Sequence, residues 1–235
     1  MNSQALIAQA RTQQRTSLDE QAGKALLAEY GVTVPRSAVV SDAAGVDAVF
    51  IQLTAPLVVK IMSPDILHKS DAGGVKVGLN SAVEVKDVIA AMAASPKIKG
   101  ARIDGYLLEE MAPAGQEIVV GGLHDPQFGP LVMVGLGGIF VEVLADVSFR
   151  ICPITRLDAQ EMLAELKGAA ILDGARGRKA VSRDAIVDVL LKVGGENGLL
   201  MRHADDIKEA DINPLIVSAT AAVAVDARFI LSGKL

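Results

Sequence analysis

Two residues in the first third of the chain have types and surroundings that suit chemistry with phosphate. Lys60 interrupts the otherwise apolar run LVVKI (57–61). Because a lone buried ammonium is costly, Lys60 must be paired or face a cavity, and an ammonium suits phosphate oxygens; the alternative is a strand-end lysine whose charge reaches water. His68 lies in a loop that ends at Gly73, where a neutral imidazole nitrogen could accept a phosphoryl group. The alternative for His68 is a surface histidine in a polar loop.

Three oxygen-bearing residues in the last part of the chain suit a hard metal ion. Asp211 and Asn213 are two positions apart in DINPL, so on a strand both side chains point to one face. Asp226 follows one apparent hairpin later, in AVDAR. Carboxylate and amide oxygens are ligands that Mg²⁺ prefers, together with phosphates and water. The alternative is turn chemistry, since Asn-Pro commonly begins a turn.

Acidic residues and glycines flank two turns in the middle of the chain. Glu109, Glu110 and Glu117 surround a turn rich in Pro and Gly, and Glu117 begins a strand where it could accept hydrogen bonds from sugar hydroxyls. The alternative is a solvated hairpin edge, on which charged residues are ordinary. In GLGGIFVEV (135–143) the backbone amides could hold an anion, or the glycines could serve only a tight turn.

The composition excludes several classes of protein. The 235 residues carry 23 Lys and Arg against 28 Asp and Glu, a net charge of −5, which does not favour a general nucleic-acid binder. Hydrophobic residues make up 51% of the chain, which excludes wholesale disorder. The P-loop, Rossmann and nucleophile-elbow motifs are missing from the sequence. A single cysteine, no signal-peptide pattern and no apolar stretch of membrane-spanning length predict a cytoplasmic protein that binds neither nucleic acid nor membrane.

Strands and helices alternate along the chain, which predicts a mixed α/β class. The first predicted helix, 17–30, has Ser17 and Glu20 as a capping box and Gly31 just past its end. The segment 95–103 is the best boundary between two lobes. Apolar runs and helical spacing predict the other elements: helices over 42–53, 81–94, 158–167 and 182–201, strands over 38–41, 57–61, 75–79, 103–111, 117–123 and 130–135, and two or three strands at the end.

Six segments together resemble a known family. They are VVKI (58–61), HKSDAGGVKVGL (68–79), EEMAPAGQEIVVG (109–121), HDPQFGPLVMVGLGGIFVEVLADVSFRICPIT (124–155), DINPL (211–215) and AVDAR (224–228). They resemble the ATP-grasp domain of the NDP-forming acyl-CoA synthetases, in particular the β subunits of ADP-forming acetyl-CoA synthetases and, more distantly, of succinyl-CoA synthetases. The resemblance covers nearly the whole chain, and the GLGGIFVEV block with DVSFR is its most specific part.

The resemblance implies a fold, a reaction and a partner. The fold is the ATP-grasp fold, in which two α+β lobes clasp a nucleotide; the smaller lobe would span 1–100, with the N-terminal helix, and the larger 101–235. The reaction interconverts acyl-CoA, ADP and phosphate with the acid, CoA and ATP, through an acyl phosphate and phosphohistidines. The partner is an α subunit or α domain that carries the CoA site and the primary phosphohistidine and receives the carboxylic acid.

The same resemblance implies a role for each residue singled out above. His68 would relay the phosphoryl group to ADP, and Asp211 would orient or stabilise a phosphohistidine. The other residues would hold the nucleotide and Mg²⁺: Lys60 at the phosphates, Glu109 and Met111 at the adenine (partly through backbone atoms), Glu117 at the ribose, and Asn213 and Asp226 as ligands of the metal ion.

Two other functions stay open at the level of sequence. One is a regulatory, non-catalytic ATP-grasp domain, against which the retention of His68, Asp211 and both metal ligands argues. The other is a stand-alone ATP-grasp ligase that joins a carboxylate to an amine. Such a ligase makes its acyl phosphate directly and needs no relay histidine, so His68 in HKSD argues against it.

Overall fold

The chain forms two compact units. The computed structural model describes residues 2–66, 69–175 and 179–233, without the side chains at positions 139 and 142. The smaller unit runs from Pro35 to Ala112, and the larger one consists of the segments that precede and follow it. The smaller unit is therefore an insertion in the larger one. The two units are defined by the contacts between residues. The predicted division into functional lobes at residue 100 is a different division and stays a prediction.

The smaller unit is built on a four-stranded antiparallel sheet with the strand order β1-β4-β2-β3. Its strands are β1 (Ser37–Val40), β2 (Leu57–Met62), β3 (Val75–Leu79) and β4 (Gly105–Glu110). Its helices are a short 3₁₀ turn (Ala43–Gly45), α3 (Val46–Phe50) and α4 (Ala82–Ala94).

Helix α4 supplies much of the core of this unit. The Ser81 side chain accepts a hydrogen bond from the Glu84 backbone N–H, which caps the first turn. Val85, Ile89 and Met92 follow at helical spacing and are buried. They join buried residues of one sheet face, among them Val59, Ile61 and Leu108.

The larger unit is built on a six-stranded antiparallel sheet with the order β10-β8-β5-β6-β7, in which β9 also pairs with β8. Its strands are β5 (Gln116–Asp125), β6 (Gly129–Leu136), β7 (Val147–Ile151), β8 (Ile207–Val217), β9 (Ala222–Ala224) and β10 (Ala227–Leu231). Its helices are α1 (Ser3–Thr12), α2 (Glu20–Glu29), α5 (Ile139–Glu142), α6 (Arg156–Glu165), α7 (Arg183–Gly194) and α8 (Leu199–Arg202), with a 3₁₀ turn at Ala169–Ile171.

Side chains alternate between the two faces of this larger sheet. Val120, Val132 and Ile212 point to the face that packs in the core with residues of α6 and α7. The residues between them on the same strands point to the other face, which we call the outer face. Asp211 is among these, because it pairs with Gly121 in the ladder. The strand register thus decides which side chains are available for chemistry.

Local details of the first predicted helix differ from the expectation. Helix α2 begins later than predicted, and its N-cap is Asp19, whose side chain accepts from the Ala22 N–H at 2.9 Å. The predicted Ser17–Glu20 capping box is therefore wrong. Gly31 does follow the helix with a left-handed φ of +75°, which is the conformation that favours glycine after a helix end.

Two other predicted helices are shorter or interrupted in the structure, and some elements were not predicted. The predicted helix 42–53 is a 3₁₀ turn followed by the five-residue α3. The predicted helix 182–201 is interrupted between Gly195 and Gly198, where a Cβ on Gly198 would lie 2.8 Å from the Gly195 nitrogen. Helix α1 and strand β7 were not predicted. Among the described residues, no helix is both long and apolar enough to cross a membrane.

Candidate functional site

Lys60 lies in the centre of the smaller sheet and forms an ion pair there. Its Nζ is 3.1 Å from Glu109 Oε1, and the two side chains are only 6% and 1% exposed. The register explains the contact: Glu109 is opposite Val58, two positions before Lys60, so both charged side chains lie on the same sheet face. The opposite face packs in the apolar core. The sequence required Lys60 either to be paired or to face a cavity, and in the structure it is paired with Glu109.

Glu109 is consequently committed to Lys60 rather than to a hairpin edge. Strands β4 and β5 belong to different sheets, so the hairpin considered for Glu109, Glu110 and Glu117 does not form. Glu109 sits on a central strand, between β1 and β2. Its side chain positions the Lys60 ammonium, which is where a phosphate contact was predicted.

The segment that follows β4 is fixed by backbone and side-chain hydrogen bonds. Glu110 Oε1 accepts from the Thr54 N–H at 2.8 Å and from an Arg36 guanidinium nitrogen at 3.2 Å. The Met111 N–H donates to the Pro56 carbonyl at 3.3 Å. The Met111 side chain is 43% exposed. Met111 thus presents an apolar surface at the end of an anchored strand, a geometry that suits its predicted contact with a planar base.

His68 lies outside the described residues, while the segment after it is anchored to β2. The Gly74 N–H donates to the Lys69 carbonyl at 2.7 Å, and the Gly74 carbonyl accepts from the Ile61 N–H at 2.8 Å. A Cβ on Gly74 would lie 2.4 Å from Ile61 Cγ2, so glycine is needed for this close approach. The relay role of His68 stays a prediction.

Glu117 lies in the wall of a cavity of about 850 Å³ within the larger unit. Its carbonyl accepts a hydrogen bond from the Gly137 N–H at 2.8 Å, and its side chain is exposed. Much of the cavity wall consists of small residues and backbone, with Phe140 and Lys179 as larger members. An exposed carboxylate in such a wall can accept hydrogen bonds from ligand hydroxyls, as predicted for Glu117.

Asn213 and Asp226 are brought together by the pairing of β8 with its neighbours. The Asn213 N–H donates to the Asp226 carbonyl at 3.2 Å. Asp226 Oδ1 accepts from the Ala227 N–H at 2.8 Å, which orients the carboxylate. The chain reversal expected before Asp226 therefore brings its backbone to Asn213, while the role of both residues as metal ligands stays a prediction.

Asp211 lies beside this pair, and its surroundings shift the pKa of its carboxyl group. Burial raises the pKa of the Asp211 carboxyl above its ordinary value, the negative charges of Asp226 and Glu209 raise it further, and Arg228 opposes them. Arg228 faces Asp211 directly across the β8–β10 ladder. Arg228 offsets only part of the negative charge of Asp211, Asp226 and Glu209. The remaining negative charge favours the binding of a further cation at this place.

The donor atoms at this place fit a magnesium ion. Carboxylate and amide oxygens are hard ligands, and Mg²⁺ needs only one or two of them when phosphates and water complete its shell. In the described ranges, no group of three or more His, Cys, Asp or Glu could hold a metal ion by itself. A metal ion bound at Asn213 and Asp226 would therefore depend on the ligands that a nucleotide brings.

Each unit assembles one part of the predicted set. The smaller unit pairs Lys60 with Glu109, and the larger unit joins Asn213 to Asp226 beside Asp211. Sequence reasoning missed two basic residues, Arg228 opposite Asp211 and Lys179 in the cavity wall. Arg228 follows Asp226 by two positions, and strand alternation together with the hairpin could have placed it on the face of Asp211.

The chain is similar to known proteins over nearly its whole length. A family profile described as an ATP-grasp domain matches residues 9–231. Subunit beta of the ADP-forming acetate–CoA ligase I of Pyrococcus furiosus is 42% identical over 228 residues, which cover 96% of each chain. The ADP-forming acetate–CoA ligase I of Archaeoglobus fulgidus is 40% identical over 210 residues, which are 89% of this chain but 30% of that longer relative.

Solved structures of an acetyl-coenzyme A synthetase are also similar to this chain over nearly its whole length. The dinucleotide-forming acetyl-coenzyme A synthetase 1 of Candidatus Korarchaeum cryptofilum, in complex with coenzyme A and Ca-AMPCP, matches with a TM-score of 0.91 and 39% identity over 98% of this chain and 100% of that chain. A second structure of that synthetase contains coenzyme A and Mg-AMPPCP, and its phosphohistidine segment points towards the nucleotide-binding site. It matches with a TM-score of 0.84 and 38% identity over 98% of this chain and 100% of that chain.

Proposed function

This chain belongs to the ATP-grasp family, and from that premise we propose that it is the nucleotide-binding β subunit of an ADP-forming acyl-CoA synthetase. The reaction interconverts acyl-CoA, ADP and phosphate with a carboxylic acid, CoA and ATP. The observation that carries this proposal is the end-to-end likeness of the chain to the β subunit of an ADP-forming acid–CoA ligase.

His68 is the proposed relay for the phosphoryl group. A phosphoryl group on a histidine of the partner passes to a ring nitrogen of His68, so that one P–N bond breaks as another forms. It then passes from His68 to a terminal oxygen of ADP, and the electron pair of the broken P–N bond stays on the imidazole. This role is supported by the HKSD motif, because residue 68 lies outside the described residues.

Lys60 is proposed to neutralise the nucleotide phosphates, and its pairing with Glu109 supports this role. Phosphoryl transfer depends mostly on positioning and on charge neutralisation. Glu109 compensates the charge of the buried ammonium and fixes its position. The resemblance implied that Glu109 lies at the adenine together with Met111. Because the Glu109 side chain pairs with Lys60, we place it behind Lys60 instead, while Met111 contacts the adenine and Glu117 accepts hydrogen bonds from the ribose.

Asn213 and Asp226 are proposed to bind Mg²⁺ together with the phosphates of the nucleotide. The metal ion supplies charge neutralisation for the phosphoryl group being transferred. Asp211, which is partly buried on the adjacent position of the outer face, is proposed to accept a hydrogen bond from the N–H of an imidazole and so to orient a phosphohistidine. Its raised pKa falls when that imidazole or the metal ion adds positive charge.

A partner subunit or domain completes the enzyme in this proposal. It carries the CoA site and the primary phosphohistidine, and it receives the acyl group. The length of relatives such as the one from Archaeoglobus fulgidus, of which this chain matches 30%, supports the idea that the ATP-grasp part works with further domains.

Phosphoryl transfer from γ-labelled ATP tests the proposal. In the presence of Mg²⁺ and the α subunit, the chain should acquire an acid-labile label, as expected for a phosphohistidine. His68→Ala should abolish the label on this chain while it still binds Mg-ATP. His124→Ala is the matched control, because His124 is only partly buried and lies on β5, outside the HKSD motif; it should retain the label. Equal labelling of the His68→Ala chain would refute the relay.

A further inference from the structure

The cavity beside Glu117 has a second charged side chain in its wall, that of Lys179. Both residues border the same cavity of about 850 Å³, together with small residues and Phe140. Glu117 and Lys179 are exposed, and among the described residues neither forms an ion pair. A carboxylate and an ammonium that line one cavity and do not neutralise each other are both available to a ligand.

Hydrogen bonds anchor the backbone that follows Lys179. The Val181 N–H donates to the Leu172 carbonyl at 2.9 Å, and the Ser182 N–H donates to the Ser218 carbonyl at 2.9 Å. Ser182 is also the N-cap of α7. The segment that carries Lys179 is thus held at the cavity wall by contacts with other parts of the larger unit.

The strand register gives the distance between Glu117 and the proposed metal ligands. Glu117 pairs with Ile216 on β8, which is three residues from Asn213 and therefore about 10 Å along the strand. Both side chains are on the outer face, because each residue is next to one that is buried in the core, Ile118 or Ile212. A nucleotide with its ribose at Glu117 and its phosphates at the metal ion would therefore lie along β8.

The cavity extends from Glu117 in the opposite direction. Its wall includes residues 217–220, which follow Ile216 along the chain, and it does not include Asn213. The segment of Lys179 is bonded at Ser218, on the same side. Relative to Glu117, Lys179 is therefore on the side away from the proposed metal ion, where the sugar rather than the phosphates is expected.

The hydroxyl groups of a ribose can use both charges. Each hydroxyl donates one hydrogen bond and can accept others, whereas a carboxylate only accepts and an ammonium only donates. Glu117 alone can accept from the hydroxyls, but it leaves their oxygen atoms without a donor. The Lys179 ammonium supplies that donor, and hydrogen bonds to charged groups are stronger than those between neutral groups.

We propose that Lys179 donates a hydrogen bond to a ribose hydroxyl of the bound nucleotide, and that Lys179 and Glu117 together select ribonucleotides over deoxyribonucleotides. This inference rests on the proposed function, since it takes from it the ribose at Glu117. It adds a binding residue that the resemblance did not identify, and it names the part of the nucleotide that this residue recognises.

Calorimetric titration with Mg-ADP and with Mg-2′,3′-dideoxy-ADP tests the proposal. Lys179→Met should weaken the binding of ADP about tenfold and leave the binding of the dideoxy analogue unchanged, so that the preference for ADP falls about tenfold. Lys179→Arg keeps a charged donor and should keep most of the preference. Lys167→Met is the matched control, because Lys167 is exposed and lies outside the cavity wall; it should bind both nucleotides like the wild type.

The two nucleotides distinguish a failure of this proposal from a failure of the proposed function. If Lys179→Met weakens the binding of both nucleotides equally, the ammonium acts on the phosphates or through general charge, and the proposal is overturned. If Lys179→Met leaves the preference for ADP unchanged, Lys179 does not contact the sugar, and the proposed function stands without it. A wild-type chain that binds neither nucleotide would refute the proposed function itself.

Discussion

The pair of Lys60 and Glu109 is the most consequential contact at the scale of single residues. Both side chains are almost fully buried, so each charge relies on the other and on neighbouring dipoles instead of water. Replacing such a pair by apolar residues is often nearly neutral for stability, whereas removing one partner leaves an uncompensated charge. The complete pair therefore lowers the stability of the fold only slightly. It holds the Lys60 ammonium where a phosphate of the nucleotide is expected.

Glu109→Gln should destabilise the protein by about 3–5 kcal/mol, because it leaves the Lys60 ammonium buried without its carboxylate. Lys60→Met combined with Glu109→Leu should recover most of that loss but weaken Mg-ADP binding about tenfold or more, since the phosphate loses a charged contact. Glu110→Gln, one position along, is the control and should cost only about 1 kcal/mol. Chemical denaturation and calorimetric titration measure the two effects; a double variant with native affinity for Mg-ADP would contradict the role of Lys60.

Asp211 contributes to pH dependence with the opposite sign to a salt-bridged carboxylate. Its pKa is raised from the ordinary value of 3.8, first by burial and then by Asp226 and Glu209. The folded state therefore holds the proton more tightly than the unfolded state, so stability falls as the pH rises through the unfolded pKa. The penalty is absent below that pKa and complete above the raised one.

Asp211→Asn should accordingly increase the free energy of unfolding at pH 7, and this gain should disappear as the pH falls below 3.8. The same variant should lose phosphoryl transfer, because the amide cannot neutralise an imidazolium. Denaturation curves across this pH range and the labelling assay test both parts. Asp205→Asn, at an exposed position, serves as control; a gain of the same size in that variant, or one that persists in acid, would show that the burial of Asp211 is not the cause.

At the scale of elements, the approach of β6 to β5 shapes the cavity beside Glu117. The Gly137 N–H donates to the Glu117 carbonyl, and a Cβ on Gly137 would lie 2.7 Å from the Glu117 Cβ and 3.0 Å from its carbonyl oxygen. The glycine is needed for space, and the side chain it accommodates is the one predicted to meet the ribose.

Gly137→Ala should lower stability by about 1–3 kcal/mol, as expected for overpacking at a rigid contact, and should also weaken nucleotide binding because Glu117 is displaced. Gly233→Ala is the matched control, since no atom lies within 4 Å of a Cβ at that position. Thermal unfolding and Mg-ADP titration measure both quantities. Native affinity in a destabilised Gly137→Ala protein would mean that Glu117 does not contact the nucleotide.

Elements with strong local signals were predictable, and those that depend on tertiary contacts were not. The strand at Leu57–Met62 and the helix at Ala82–Ala94 were predicted within a residue or so, because apolar composition or spacing marks them. Strand β7 contains Arg150 and exposed apolar residues, so neither alternation nor a buried run identifies it. For α2, both Ser17 and Asp19 are good N-caps by composition, and the bridge of Ser17 to Ile230 decides between them.

The candidate site was partly predictable for the same reason. Strand alternation and one hairpin were enough to place Asp226 beside Asn213. The partner of Lys60 was not predictable, because it depends on the register of β2 against β4, which are separated by more than 40 residues. Arg228 was missed although the same reasoning reaches it, because it follows Asp226 by two positions and β10 pairs with β8.

At the scale of the whole molecule, two separate apolar cores account for the two compact units. One core is formed by buried residues of the smaller sheet and α4, and the other by the larger sheet with the helices that pack on it. The residues proposed to bind phosphate through an ammonium belong to the smaller unit, and those proposed to bind the metal ion belong to the larger one.

The larger unit is assembled from the two ends of the chain. The Leu18 N–H donates to the Phe229 carbonyl at 3.0 Å, the Leu231 N–H donates to the Thr16 carbonyl at 2.8 Å, and Arg11 pairs with Asp206 at 2.9 Å. On the ribosome, all four strands of the smaller unit emerge and can pair while the rest of the chain is still being synthesised. The first two helices, in contrast, have to wait for β10 to emerge from the exit tunnel before they find their sheet.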